Sequence, residues 1–373
     1  SSQLTKYLNT NFVSTGVKTY NSASTERNMG QPSSMDRSMS ATIAAATLYV
    51  FSGVAQPLLM TVLKDAGLAD PTCQLYMVFY YLGPALVVLT LFDQPQESWP
   101  SIPIILKSSS IAVIDILAQA MNYTGAAMAG PTIFAIIYSS VTVWTALFST
   151  IFLKRNINVF QWLGVATVFG GLVITALDSV SVGVEVFHGA CLVIGGSLMH
   201  ALTYVLSEGI MTKREKLPVR INCAVQGIVA FTAFFLWQIV YTRPRFHELI
   251  QSPMQDANTT FMKAAVILTA IGVFNLIHAL TFFHTLKNFP GGATSAGVMK
   301  GLQAVLVFLA TSWLFCNRTG GSEMCFTRLK LMSLVTVIGG VFIFGKATKR
   351  QEDGSLNATK VDYTRIVNQG DIT

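Results

Sequence analysis

The sequence predicts an all-α polytopic membrane protein, with ten transmembrane helices arranged as two inverted five-helix repeats. Three observations lead there. Of 373 residues, 52% are hydrophobic and only 12% are charged, with a mean hydropathy of +0.53; a soluble domain carries about 25% charged residues. From Ala41 onward, ten apolar stretches follow one another. A motif also occurs twice, as TVFGGLVI at 167–174 and TVIGGVFI at 336–343, with five of eight positions identical.

Taken in order, residues 1–40 are rich in Ser, Thr and Asn and read as a disordered cytosolic tail. They contain no apolar h-region of the kind a cleavable signal needs. Hydropathy predicts spans at about 41–63, 74–92, 110–128, 132–153, 159–177, 189–211, 219–241, 263–286, 292–316 and 331–345. The connections Met128–Pro131 and Asn288–Gly291 are so short that each demands a tight helical hairpin. The two motif copies close the fifth span of their halves, so the repeats are 41–178 and 179–347, with a second disordered tail at 348–373. Five helices per half turn the second copy upside down, a pattern of secondary transporters that bind substrate near the midplane.

The net charge of +7 sits largely in short loops, so topology explains it better than nucleic acid does. The loop assignment groups Lys107, Lys154, Arg155, Lys213, Arg214, Lys216, Arg220, Arg318, Arg328 and Lys330 on the cytosolic side. It leaves Lys64, Arg243, Arg245 and Lys287 opposite. Both termini are then cytosolic. The sequon at Asn258 faces the lumen or exterior, and the sequon at Asn317 faces the cytosol. Five cysteines, odd in number and without a CxxC, predict neither a metal site nor a disulfide framework.

Lys300 dominates the search for a site. It lies about eight residues inside the ninth span, roughly 12 Å deep, beyond comfortable snorkelling. A charge there is expensive, so Lys300 either joins a structural ion pair or anchors an anionic substrate. Polar residues recur on helix faces: Asp115, Gln119 and Asn122; Tyr138, Thr142, Thr145 and Ser149; Ser197, His200, Tyr204 and Glu208; Asn275, His278, Thr281 and Thr285; Lys300 and Gln303; Ser52 and Gln56. Together they predict helices around a hydrated cavity, against scattered interhelical hydrogen bonds as the alternative. The assumed span directions set Asp115 and Lys300 about 8–10 Å apart in depth, which disfavours a direct bridge. Glu208 is expected near a solvated helix end. His200 and His278 are either proton carriers or neutral hydrogen-bonding partners.

Residues 138–164, YSSVTVWTALFSTIFLKRNINVFQWLG, resemble the fourth and fifth helices of nucleotide-sugar transporters, and AGVMKG at 296–301 resembles their ninth-helix motif. Over 41–347 the chain is similar to the drug/metabolite transporter superfamily, in its solute carrier family 35-like branch. The resemblance implies Lys300 near substrate phosphates, with Gly297 in the same motif, and a Golgi or ER membrane, with vacuolar or plasma membrane as alternatives. Many members carry a second lysine three residues after the fourth-helix tyrosine, where this chain has Val141.

The expected function is therefore alternating-access transport of a small polar or anionic organic metabolite, with nucleotide-sugar/nucleotide antiport as its narrower form. The expected substrate-binding residues are Lys300, Gly297, Gln303, Tyr138, Thr142, Asn122, Gln119, Tyr204 and His278. One alternative is a proton-coupled carrier of an uncharged or cationic metabolite or drug, using Asp115 and His200. Another is a non-transporting scaffold or receptor of the same fold. His247-Glu248 lacks a second histidine, the GxxxxG at 292–297 is followed by Val298, and no GxSxG occurs, so no enzyme is expected. The expected partners are a small-molecule metabolite and membrane lipid, without nucleic acid, cofactor or metal; homodimerisation is left open.

Overall fold

The computed structural model describes residues 34–92, 99–138, 140–176, 184–212, 216–316, 328, 331–332 and 334–351. The helical bundle belongs to the unit that begins at Ser40. Most of both predicted tails lies outside the described residues.

All regular structure among the described residues is helical. The elements are α1 (Ser34–Asp65), α2 (Leu75–Leu86, extended by a 3-10 turn at Val87–Leu91), α3 (Ile102–Tyr138), α4 (Val141–Phe152), α5 (Val159–Ala176) and α6 (Val184–Thr212). They continue with α7 (Val219–Trp237), α8 (Ser252–Asp256), α9 (Phe261–Asn288), α10 (Gly292–Phe315) and α11 (334–351). Among the described residues, six stretches are long and apolar enough to cross a bilayer. Large apolar side chains such as Phe51, Val240 and Phe342 point outward, as lipid contact requires. The chain is an integral, multi-pass membrane protein.

The predicted third and fourth spans fall within one helical assignment, α3 running into α4. Yet Asp115 hydrogen-bonds His200 at 2.7 Å, and the Tyr138 ring lies 5.9 Å from the His200 ring. A straight helix would separate residues 115 and 138 by about 34 Å. The chain therefore reverses between them, where the hairpin at Met128–Pro131 is expected. Between α7 and α9, the expected long loop is wound instead into π and 3-10 turns at Gln238–Gln251, followed by the short α8. Pro244 and Pro253 lack the amide that a regular α-helix needs there, which fits these irregular turns.

Two ends of the bundle can be named from contacts. At one, Arg155 bonds Glu208 near the end of α6 and Gly291 just before α10, while Gln351 of α11 donates to the Asn156 carbonyl at 3.0 Å. At the other, Leu63 and Leu68 cluster with Leu249, Ile250 and Met254, and Trp237 donates to the Thr72 carbonyl at 3.0 Å. Exposed Asn258 follows α8 at this second end. Because α10 rises from the Arg155 end over about 35 Å, Cys316 lies at the Asn258 end.

Two sequence assignments are corrected. Lys287, in the last turn of α9, belongs to the Arg155 end rather than opposite it. Cys316, at the end of α10, lies at the Asn258 end, the reverse of the direction that the loop assignment gave this span. The error came from counting α10 in the wrong direction; the short α9–α10 turn returns the chain from the Arg155 end. Asn317, Arg318 and Lys330 themselves lie outside the described residues. Cys316 is disulfide-bonded, against the expectation of no disulfide, and its partner lies outside the described residues. Sequence spacing alone does not report which cysteines meet in space.

The two motif copies pack against each other, antiparallel. Gln161 donates to Thr348 at 3.0 Å. A Cβ on Gly340 would come within 2.8 Å of the Val168 amide nitrogen, and one on Gly171 within 3.1 Å of the Val337 nitrogen. Only glycine lets the two backbones approach this closely. Gly170 and Gly339, the other glycine of each pair, face open space.

Two outcomes are expected. A membrane-impermeant maleimide should label Asn258→Cys and Asn317→Cys from one side of the membrane and Lys154→Cys from the other. Gly340→Ala should cost about 1–3 kcal/mol by overpacking, read as a lower melting temperature in detergent, whereas Gly339→Ala should leave stability unchanged or raised.

Candidate functional site

Seven segments supply the polar interior, and each uses a physical feature already visible in its sequence. Helix α10 starts after Gly291, whose φ of +83° favours glycine, and carries Lys300 and Gln303 inward. Helix α9 presents Asn275 and His278, one turn apart. Helix α1 brings Tyr49, Ser52 and Gln56, next to Pro57, which removes one backbone hydrogen bond beside the site. Helix α2 adds Tyr76, Tyr80 and Tyr81, and α3 adds Asp115, Gln119, Asn122, Tyr123 and Tyr138. His200 and Tyr204 come from α6, and Thr142 from α4.

A cavity of about 410 Å³ runs from Lys300 toward the Asn258 end, where Lys64, Ala69, Pro71 and Thr311 line it. Gln303, Tyr138, Asn122 and Gln119 line it too. A neighbouring cavity of about 60 Å³ is lined by His278, Tyr204, Asp115 and His200. Gly297 and Thr142 line neither. The Thr142 hydroxyl donates to the Gly297 carbonyl at 2.8 Å, and a side chain at 297 would overlap Thr145. Their place is the α4–α10 contact that holds the helix carrying Lys300.

The Lys300 ammonium is buried and sits 3.2 Å from His278 Nε2. An ammonium only donates, so Nε2 accepts and the imidazole proton resides on Nδ1. That Nδ1–H donates to Ser52 Oγ at 2.9 Å, and the Ser52 hydroxyl donates to the Leu48 carbonyl at 2.7 Å. The chain of bonds is directional and consistent with a neutral His278. The rings of Tyr49 and Tyr138 flank the ammonium at 5.4 and 5.9 Å, within cation–π range. Among the described residues, no carboxylate lies within ion-pair distance of Lys300.

Asp115 is occupied elsewhere. Its two oxygens accept from His200 Nδ1 at 2.7 Å and from the Tyr81 hydroxyl at 2.6 Å. The expected absence of a direct Asp115–Lys300 bridge therefore holds. Its stated reason, opposite span directions, does not, because α3 and α10 both set out from the Arg155 end.

Glu208 is not solvated, contrary to expectation. Its side chain is 4% exposed and pairs with Arg155 at 2.6 Å. The second carboxylate oxygen accepts the Ala293 backbone N–H at 2.6 Å, and Arg155 also donates to the Gly291 carbonyl at 2.5 Å. The start of α10, with its partial positive charge, adds to this clasp. It seals the Arg155 end beneath Lys300.

Sequence spacing of the polar faces did not disclose the tyrosine wall. Tyr76 stacks on Tyr123 with centroids 5.6 Å apart, and Tyr76 and Tyr80 sit 5.8 Å apart. Phe134 and Tyr138 stack at 5.1 Å on the same cavity. The available signal is the i, i+4 spacing of Tyr76 and Tyr80, obscured because tyrosine in α2 reads as apolar.

Comparison with known proteins bears on the fold and the family. Residues 38–177 match the EamA-like transporter family. The chain is 27% identical to solute carrier family 35 member F6 of Homo sapiens and of Pongo abelii, over 54% of this chain and 59% of each relative. It thus spans less than two thirds of the length of those relatives. An uncharacterized protein of Schizosaccharomyces pombe is 23% identical over 64% of this chain and 73% of its own. One crystal structure superposes with a TM-score of 0.61 at 12% identity, covering 82% of this chain and 98% of that one, which speaks for shared fold alone. The chain is thus similar to the EamA-like transporter family over residues 38–177, and to solute carrier family 35, as its motifs imply.

The two cationic centres predict opposite stability effects. Lys300→Ala leaves no carboxylate unpaired, so it should melt close to wild type in detergent. Arg155→Ala strands the buried Glu208 carboxylate with one backbone donor, at about 3 kcal/mol, and should lower the melting temperature by several degrees.

Proposed function

We propose that this chain is a secondary transporter that carries a small polar or anionic organic metabolite across a membrane by alternating access. One observation carries the reading: a buried ammonium, Lys300, ends a cavity open toward one side and has no carboxylate partner among the described residues. A structural ion pair would neutralise the charge permanently. Here a bound anion is what would complete it, while the Arg155–Glu208 clasp closes the other side. Release there requires the clasp to part and the cavity above Lys300 to shut.

The ten-helix architecture of two inverted repeats, 41–178 and 179–347, belongs to this proposal. The copies of the TVxGG motif are offset by 169 residues. Applied to the contact of Val168 with Gly340, that offset exchanges it for the contact of Val337 with Gly171. Such self-complementary contact is what a two-fold relation between repeats produces. The clasp joins Arg155 of the first repeat to Glu208 and α10 of the second, so rocking of one repeat against the other would strain it directly.

Orientation follows the same reading. A disulfide at Cys316 and an exposed sequon at Asn258 share one end, which fits an oxidising lumen or exterior. Lys154, Arg155, Lys287, Lys349 and Arg350 gather toward the other, which fits the cytosol. The cavity would then face the lumen or exterior. Nucleotide-sugar/nucleotide exchange at the Golgi or ER is the narrower form of the proposal. Proton coupling through Asp115 and His200 is the second reading, supported by their 2.7 Å contact beside the cavity.

The test is uptake into proteoliposomes over nucleotide sugars, nucleotides, vitamins and amino acids. Counterflow that Lys300→Ala abolishes, in protein that still folds, is the expected result, with Lys300→Arg only partly active because a planar guanidinium does not replace a compact ammonium. Uptake driven by a pH gradient and lost in Asp115→Asn would favour the second reading. Lack of uptake of any compound would point to a scaffold or receptor.

A further inference from the structure

The cavity wall is selective in a way that Lys300 alone does not convey. Four amides line it, and three of them have already committed one N–H each within the structure. Gln56 Nε2 donates to Asn275 Oδ1 at 2.6 Å, Gln119 Nε2 to the Tyr80 hydroxyl at 3.3 Å, and Gln303 Nε2 to the Tyr49 carbonyl at 2.8 Å. The exposed lining is predominantly apolar, so a ligand rich in hydroxyl groups would bury several of them without partners, and each buried hydroxyl left unmatched would oppose binding. Lys64, at the far end of α1, is the only other cation among the described lining residues. A diphosphate at Lys300 would find one ammonium there and no second charge beside it; the position three residues after Tyr138 is Val141, buried in the core.

What the wall does offer is flat and apolar. Tyr76 and Tyr123 stack with an interplanar angle of 11° on one side, and Phe134 and Tyr138 stack on another. Met60, Met77 and Met128 fill between them, and thioethers adapt to aromatic ligands. Rings of this kind hold a planar body by offset or edge contact. A volume of about 410 Å³ lies within the usual range for a small-molecule pocket.

We propose that this cavity takes a monoanion with a planar aromatic body, an aryl or arylalkyl carboxylate, whose carboxylate meets Lys300 while its ring lies between the Tyr76–Tyr123 and Phe134–Tyr138 pairs. The inference rests on the carrier reading of the same cavity, and specifies its ligand class. The polar atoms of Asn122 are buried against Gly196 of α6, where a Cβ would overlap Oδ1, so this amide packs between helices and leaves the ring surfaces to dominate the wall. The His278–Ser52 chain fixes the ammonium in place, so charge recognition and ring recognition come from separate rigid elements.

The experiment uses the full chain purified in detergent, with thermal unfolding and calorimetry as readouts. The probes are 2-naphthoate, 2-naphthylmethanol, 2-naphthylmethylammonium and uridine diphosphate. Expected is stabilisation by 2-naphthoate, with at least tenfold weaker binding of the neutral alcohol and of the amine. Lys300→Gln should weaken 2-naphthoate at least tenfold without changing the unliganded melting temperature. Tyr76→Leu should weaken it about fivefold and leave the preference for anion over alcohol intact. Absence of a response to 2-naphthoate, stabilisation by uridine diphosphate instead, or equal binding by Lys300→Gln would overturn the ligand class. The carrier reading is separated by flux in proteoliposomes. Binding of 2-naphthoate without counterflow sinks the carrier and keeps the ligand class; counterflow of nucleotides without 2-naphthoate binding does the reverse.

Discussion

A bilayer offers no water to a charged group, so the structure around Lys300 must supply a solvation shell from side chains. It does so without neutralising the charge. One N–H goes to a neutral imidazole, and two tyrosine rings face the ammonium with their negative π-surfaces. The same bonds tie three helices together, because His278 belongs to α9, Ser52 to α1 and Lys300 to α10. Gln303 adds a second α10–α1 tie through the Tyr49 carbonyl. The solvation of one charge therefore also fixes the arrangement of the helices that build the cavity.

Three charged centres in the bundle are handled in three different ways. Glu208 is neutralised by Arg155 and further satisfied by a helix N-terminus, so it is a closed unit. Asp115 is held by two partners, His200 Nδ1 and the Tyr81 hydroxyl, one on each carboxylate oxygen. As an ammonium, Lys300 has three donors and, among the described residues, one hydrogen-bond acceptor, His278 Nε2, so donor capacity is left over. Only this last state invites a ligand. That difference separates the site from the other buried polar residues, which composition alone would treat alike.

Close helix packing sets how far Lys300 can move. Thr142 and Gly297 bring α4 against α10, and Thr294 reaches Ser149 at 3.1 Å one turn nearer the clasp. Small residues and hydroxyls there act as spacers and ties between the two helices. A rigid α10 anchored at both the clasp and the Thr142 contact would transmit movement at one to the other.

Much was legible in the sequence because a membrane imposes a one-dimensional constraint. Apolar stretches, the paired TVxGG motifs and a lone lysine deep in a span are properties of the chain, and they identified a multi-pass bundle and the residue at the end of its cavity. Gln303, Tyr138, Asn122 and Gln119 reached that cavity for the same reason, since helical spacing fixes which residues share a face. Only tertiary structure decided the partners. Whether Asp115 or His278 sits beside Lys300 depends on how α3 and α9 rotate against α10, and spacing within one helix does not contain that angle. Glu208 was read as solvated because Arg155 lies 53 positions away, and the Thr142–Gly297 bond that joins α4 to α10 is likewise absent from the spacing within either helix. The direction of α10 was lost to a miscounted crossing and recovered from three bonds at the clasp. Sequence determines which residues are costly to bury; the packed helices determine what compensates each one.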